Sequence, residues 1–343
     1  MVPARLRHPG RAPRVASLAR AALILLAVAT APSGRAAAQA IPPDGALPAS
    51  PGAILLPAQP LTADTSPVLL GGEPLPTIAP APGEVVLTEP RPTWEFLPLH
   101  RLWQPPLASR RAPRMYVVGT TLDEYYTHET LDTAIGAVVG LFRYTPPGHP
   151  DAPWQLDFFA VHFSRWSDRA HAVVSDYRYG LPITWATGGW QAKVGYEHTS
   201  THLGDDYIAA FQRYKVRYVR DEVVFGLAYR WFNQLRLYGE AAYAFSMGCS
   251  NYQGRDRFEW GLEWSKQAPT GWCGQPFAAF DMDLRPEQDY EANMCLQLGW
   301  QWIPPSQVYS FRFAAEFYRG YAPYGQLYQV KEEWAGLGLF LDF

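Results

Sequence analysis

His198 and Ser200 stand two residues apart in Gly195-Tyr196-Glu197-His198-Thr199-Ser200, on the parity shared by Trp190, Ala192, Val194 and Tyr196. In a strand, side chains two apart lie on one face with Cβ atoms roughly 6.5–7 Å apart, near enough for an imidazole to take a serine proton. The chemistry this suggests is acyl transfer, with Ser200 as nucleophile and His198 as general base. Such a pair is odd on an apolar face, where both groups need polar partners. The plainer reading puts His198, Ser200 and His202 at headgroup level, bonded to lipid or water, because His-x-Ser is short enough to recur by chance. His198 and His202 make a poor metal pair, since four strand residues span roughly 13 Å.

The elements that would carry this pair are legible along the second half of the chain. From Tyr290 to Trp302 one parity reads Ala292, Met294, Leu296, Leu298, Trp300, and the other Glu291, Asn293, Cys295, Gln297, Gln301. Phe258, Trp260, Leu262 and Trp264 alternate with Glu259 and Glu263, and Phe311, Phe313 and Phe317 with Arg312 and Glu316. The last ten residues repeat the pattern, with Leu337, Leu339 and Leu341 against Gly336, Gly338 and Asp342, ending on Phe343. Period two fits these stretches and helical spacing does not.

Reading the same period back to Pro113 predicts strands near 113–122, 132–145, 154–166, 173–187, 189–199, 213–222, 223–231, 235–245, 256–265, 276–285, 290–302 and 308–318, plus the terminal strand. No Gly, Pro or Asn separates Arg217 from Phe225, so 213–222 and 223–231 are read as one strand. The total is then about twelve, an even count suited to an all-β, antiparallel up-and-down transmembrane barrel. Short turns are expected at Thr187-Gly188-Gly189, Asn233-Gln234 and Pro304-Pro305-Ser306. Longer polar connections are expected near Glu124–Asp132, Thr199–Gln212, Ser246–Arg255 and Arg319–Val330. If both termini lie in the periplasm, the long side faces out of the cell.

A secreted β-sandwich would alternate in the same way. The polar parity weighs against it. Glu259, Glu263, Arg312, Glu316, Asp281, Asp283, Arg236 and Glu240 would be costly in a dry core yet suit a wet, ion-paired lumen, crowded enough to obstruct a wide pore.

The first forty residues carry Arg5, Arg7, Arg11, Arg14 and Arg20, then an apolar run from Ala21 to Ala31, then Ala38-Gln39-Ala40. This reads as a secretory signal peptide over 1–40; the run is far shorter than the roughly twenty residues of a spanning helix. Residues 41–93 are rich in Pro and Ala without either period and read as a disordered linker, leaving 94–343 for the barrel. The sequence leaves open whether the linker plugs the lumen. Net charge is −3, with no basic footprint for nucleic acid, and aromatics make up 15%, as interface girdles require. Cys249, Cys273 and Cys295 fall in two connections at opposite ends and mid-strand facing the lumen, so no disulfide is expected.

Arg110-Arg-Ala-Pro-Arg114, Ser175-Asp-Tyr-Arg-Tyr-Gly180, Gly195-Tyr-Glu-His-Thr-Ser-Thr-His-Leu-Gly-Asp-Asp206, Arg236-Leu-Tyr-Gly239, Gly261-Leu-Glu263 and Tyr324-Gly-Gln-Leu-Tyr328 together resemble the bacterial family known as domain of unknown function 1207. That resemblance implies an outer-membrane-type barrel and assigns no activity. More locally, Gly195-Tyr196, His198-Thr199-Ser200 and Phe211-Gln212-Arg213 are similar to the active strand of the outer-membrane phospholipase A family. There a twelve-stranded barrel uses a His, a Ser two residues on and an Asn that orients the His.

This chain departs from that pattern with Gln212 for the Asn and Thr201-His202 for Asn-Gly. The resemblance implies Gln212 as orienter, amides near His202–Gly204 as oxyanion donors, and Asp205 and Asp206 as holders of a Ca²⁺ that polarises the ester carbonyl. It also implies a homodimer, since that family builds its site by dimerising. The expectation is therefore an outer-membrane barrel in contact with outer-membrane lipid, structural or binding in role. The alternatives are a Ca²⁺-dependent lipid-ester hydrolase and a small-solute channel.

Overall fold

In the computed structural model of the protein, the described residues are 91–343 except 125–126, 168–170, 212–214 and 249–253. The strands are β1 (Thr93–Phe96), β2 (Met115–Glu124), β3 (Thr127–Thr145), β4 (Trp154–Ser167), β5 (Ala172–Thr187), β6 (Trp190–Leu203), β7 (Val219–Trp231), β8 (Leu235–Met247), β9 (Asp256–Ser265), β10 (Gln275–Leu284), β11 (Ala292–Trp302), β12 (Ser310–Tyr321) and β13 (Lys331–Asp342). Among the described residues one short α-helix, α1 (Asp205–Phe211), follows β6. β2 to β13 pair antiparallel in sequence order and close where β13 meets β2, Leu341 opposite Met115. The result is a closed up-and-down transmembrane barrel of twelve strands. β1 lies outside that count and pairs only with the end of β3, Phe96 opposite Phe142.

The expected single strand after residue 213 is one strand, β7, but it begins at Val219, and residues 215–218 are irregular. The expected long connection Glu124–Asp132 is a correction: β3 already begins at Thr127. Thr130 and Asp132 point inward and are buried; a polar inward row near the rim reads like a loop. The turn at Gly188 takes a left-handed φ of 54°, which glycine adopts without strain, giving a two-residue hairpin.

Parity sorts the chemistry inside out. Outward positions such as Phe225, Leu227, Leu237, Trp260 and Phe313 are exposed, as on a lipid-facing wall. The eight inward charged residues named from the sequence are all buried. They are ion-paired or hydrogen bonded: Arg236 Nη1 lies 3.1 Å from Glu263, and Arg312 Nε 2.8 Å from Asp342. Aromatic pairs such as Trp154 with Trp185, at 6.1 Å between centroids, and Trp190 with Tyr229, at 4.7 Å, mark the short-turn end.

The lumen is filled by the chain itself. Residues 98–114 leave β1 and run through it before β2 begins. Arg110 donates to Asp132 on β3 and Glu316 on β12, each at 2.7 Å, and Arg114 Nε lies 3.2 Å from Asp342 on β13. The Leu107 amide donates to Glu263 on β9 at 2.6 Å, and Arg236 on β8 donates to the Gln104 carbonyl at 2.7 Å. Partners on five inward rows can be reached only from inside. The Trp103 ring sits 5.3 Å from Lys193 Nζ and 5.2 Å from the Arg236 guanidinium carbon. Gly226 makes its seat, for a Cβ there would come within 2.9 Å of the indole.

A cavity of about 40 Å³ remains between plug and wall, room for a few waters. At the long-loop end, Tyr324, Leu327 and Tyr328 are buried over the lumen, with the Gly325 amide on Asp176 at 2.9 Å.

Cys273 is exposed, Cys295 is buried facing the lumen, both are free, and Cys249 lies outside the described residues. A maleimide added to the folded barrel should label Cys273 and spare Cys295 until denaturation; modification of Cys295 in the folded state would contradict the filled lumen.

Candidate active site on the outer wall

β6 is held in rotation by its inward row. Glu197 accepts from Arg178 at 2.5 Å, Thr199 accepts from Arg111 at 3.3 Å, and the Thr201 hydroxyl donates to Asp176. All three are buried. Period two then forces Tyr196, His198, Ser200 and His202 onto the outer wall, as the sequence parity required.

His198 pairs in register with Asp221 on β7, and Ser200 with Val219, the first residue of that strand. His198 Nδ1 lies 2.7 Å from Asp221 Oδ1, and the Tyr196 hydroxyl donates to the same oxygen at 2.6 Å. The Tyr179 ring stacks on the imidazole at 4.7 Å and 25°. Both members of the His–Asp pair are about one-fifth exposed, 18% and 20%. A carboxylate can only accept, so the neutral ring carries its proton on Nδ1 and leaves the Nε2 lone pair free as a base. No hydrogen bond joins Ser200 to His198 here; such bonds commonly tighten only when substrate is bound.

The candidate site the geometry assembles is therefore Ser200, His198 and Asp221, with the acid absent from the sequence reading. Its signal was present: Val219, Asp221, Val223, Phe225 and Leu227 form one outward row containing a single carboxylate. Gln212, expected to orient His198, lies outside the described residues, and the Nδ1 position it would take is occupied by Asp221. The Gly204 amide donates to the Val173 carbonyl at 2.9 Å, so it is not free to serve an oxyanion.

Asp205 and Asp206 open α1 and are exposed, with Asp205 3.2 Å from Lys215 and Asp206 3.2 Å from His171. Among the described residues no group of three His, Cys, Asp or Glu gathers to hold a metal ion.

Residues 88–343 match the family described as protein of unknown function DUF1207. The chain belongs to that family. No curated protein matches this DUF1207 member. Among similar solved structures is the Salmonella typhi outer membrane phospholipase dimer with bound calcium, at 14% identity, 70% of this chain and 95% of that one, TM-score 0.47. The outer membrane phospholipase A of Escherichia coli gives 14% identity, 71% and 95% coverage and a TM-score of 0.48. The KdgM porin gives 6% identity, 67% and 98% coverage and a TM-score of 0.37.

Proposed function

We propose that the protein is a lipid-ester hydrolase of the outer membrane, acting from the barrel wall at the level where headgroup meets acyl chain. The observation that carries this reading is the 2.7 Å contact between His198 Nδ1 and Asp221 on a lipid-facing surface, two residues from a serine. A carboxylate on the lipid side of a barrel is costly unless partnered, and it has no evident use to an inert wall. Here it fixes the tautomer that a general base needs.

In the reaction, Ser200 Oγ attacks the ester carbonyl carbon while its proton passes to His198 Nε2. The tetrahedral adduct expels the alcohol, which leaves with that proton, and an acyl-serine remains. Water then attacks the acyl-serine, its proton taken by the same nitrogen, and Ser200 departs reprotonated as the fatty acid is released. Asp221 steadies the imidazolium that forms in both halves. The bilayer supplies substrate by lateral diffusion, so no pocket open to water is needed.

The channel alternative fits poorly with a lumen filled by residues 98–114 and capped by Tyr324 and Tyr328. A lipophilic alkyl fluorophosphonate decides between an active and an inert serine. It should label Ser200 in refolded protein, mapped by peptide mass, and should fail on His198→Ala. Absence of adduct on the folded wild type, or equal labelling of the variant, would refute the proposal.

A further inference from the structure

A serine that attacks an ester needs a hydrogen-bond donor within about 3 Å of the carbonyl oxygen, which becomes negative as the bond forms. Two of the backbone amides at the end of β6 are committed to the sheet. The Gly204 amide donates to Val173, and bonded pairs in an antiparallel ladder recur at every second residue. The pairs of Ser175 with His202 and of Tyr177 with Ser200 fall on the same alternation, so the His202 and Ser200 amides point into the ladder with β5. Asp205 and Asp206, expected to hold a cation here, lie on α1 beside Lys215 and His171. The outer wall itself offers a side-chain donor.

Four residues surround Ser200 on that wall. His198 and His202 bracket it along β6, each two residues away on the same face, and Tyr177 on β5 and Val219 on β7 flank it in register. His198 has Asp221 at Nδ1 and is the base. His202 is exposed, and among the described residues no hydrogen bond holds either of its ring nitrogens. Its ring meets the Tyr177 ring edge-on, with 5.7 Å between centroids at 78°. Tyr177 is backed in turn by His162, stacked at 4.6 Å and 20°. Because His202 is in register with Ser175, its contact with Tyr177 is diagonal and joins the His202 row to the row of Ser200. An imidazole carries an N–H in either neutral tautomer, so either ring nitrogen can be the donor.

We infer that the His202 side chain is the oxyanion donor of the proposed ester hydrolysis, placed across Ser200 from the base. This rests on the hydrolase reading of Ser200. As Ser200 Oγ adds to the carbonyl carbon, an electron pair of the C=O bond moves onto its oxygen. The His202 N–H donates a hydrogen bond to that oxygen and keeps its proton. When the C–O bond to the alcohol breaks, the pair returns and the acyl-serine forms. β6 runs toward the long-loop end, so His202 lies on the headgroup side of the serine and His198 on the hydrocarbon side. The charge then develops on the side nearer to water, against a donor already fixed on the wall.

The test is hydrolysis of dipalmitoyl phosphatidylcholine in mixed micelles by refolded full-length protein, beside Ser200→Ala, His202→Phe and His202→Gln, with EDTA present. Phenylalanine keeps a ring against Tyr177 and removes the N–H; glutamine restores an N–H at similar reach. The expected result is wild-type turnover that depends on Ser200, a loss of about 10²–10³-fold in kcat for His202→Phe at unchanged KM, and recovery to within about tenfold of wild type in His202→Gln. His202→Phe equal to wild type, both His202 variants equally impaired, or an effect on KM alone overturns the donor and leaves the hydrolase. So does wild-type turnover that EDTA abolishes and Ca²⁺ restores, which would assign the charge to a metal ion. No turnover by folded wild type with or without Ca²⁺ overturns the hydrolase and the donor with it.

Discussion

Asp221→Ala is expected to lower turnover of a phospholipid ester by about 10⁴-fold, the loss seen when the carboxylate of a Ser-His-Asp system is removed and the imidazole loses its tautomer. Asp221→Asn should fall nearly as far, because the amide keeps a hydrogen-bonding side chain while losing the charge that steadies the imidazolium. Tyr196→Phe removes one further donor to Asp221 and should cost far less, since Nδ1 keeps its acceptor.

A purely structural role for Asp221 predicts a different pattern. Its loss would then show as a lower unfolding midpoint with turnover of the folded fraction unchanged, whereas a catalytic role predicts a large loss of turnover at a midpoint close to that of the wild type. Activity and unfolding measured on the same refolded samples separate the two.

The second large effect lies inside the barrel. Arg110 is buried and spans Asp132 and Glu316 at 2.7 Å each, while Asp132 also accepts two bonds from Arg165 at 2.7 and 2.9 Å. Removing one member of a buried pair leaves charges without partners and typically costs about 3–5 kcal/mol. Arg110→Ala is therefore expected to lower the unfolding free energy of the refolded barrel by that amount. The loss should be nearly independent of salt, because the pairs are shielded from solvent. Asp132→Asn should do comparable damage through Arg165 as well. A loss below about 1 kcal/mol, the range of an exposed pair, would mean that the plug is not anchored where the structure places it.

The barrel was legible because burial in a membrane wall inverts the usual pattern without blurring it. Every residue from Phe258 to Trp264 declares its face, and the same holds for Phe311 to Phe317. Charged residues such as Glu240 and Arg312 then have to point into the lumen. The plug was illegible for the opposite reason. Residues 98–114 have no period, are interrupted by Pro105-Pro106, and find their partners as far away as Asp342. Arg110-Arg111-Ala112-Pro113-Arg114 stood out as a motif, but its lumenal role depends on strands distant in sequence.

The candidate site divides along the same line. His198 and Ser200 share a strand, so parity alone put them together. Asp221 joins them through cross-strand register, and that register depends on β7 beginning at Val219 rather than near 213. An orienting group sought further back, at Gln212, followed from chain order in a similar family. The partner found is the residue that strand pairing sets directly opposite.

Phospholipid hydrolysis by detergent-refolded protein, with and without Ca²⁺, beside a Ser200→Ala variant shown to refold equally, tests the central claim most directly. Fatty acid released by the wild type and lost in the variant is the result this account predicts. Release that persists in Ser200→Ala, or none from fully folded wild type under either condition, would contradict it.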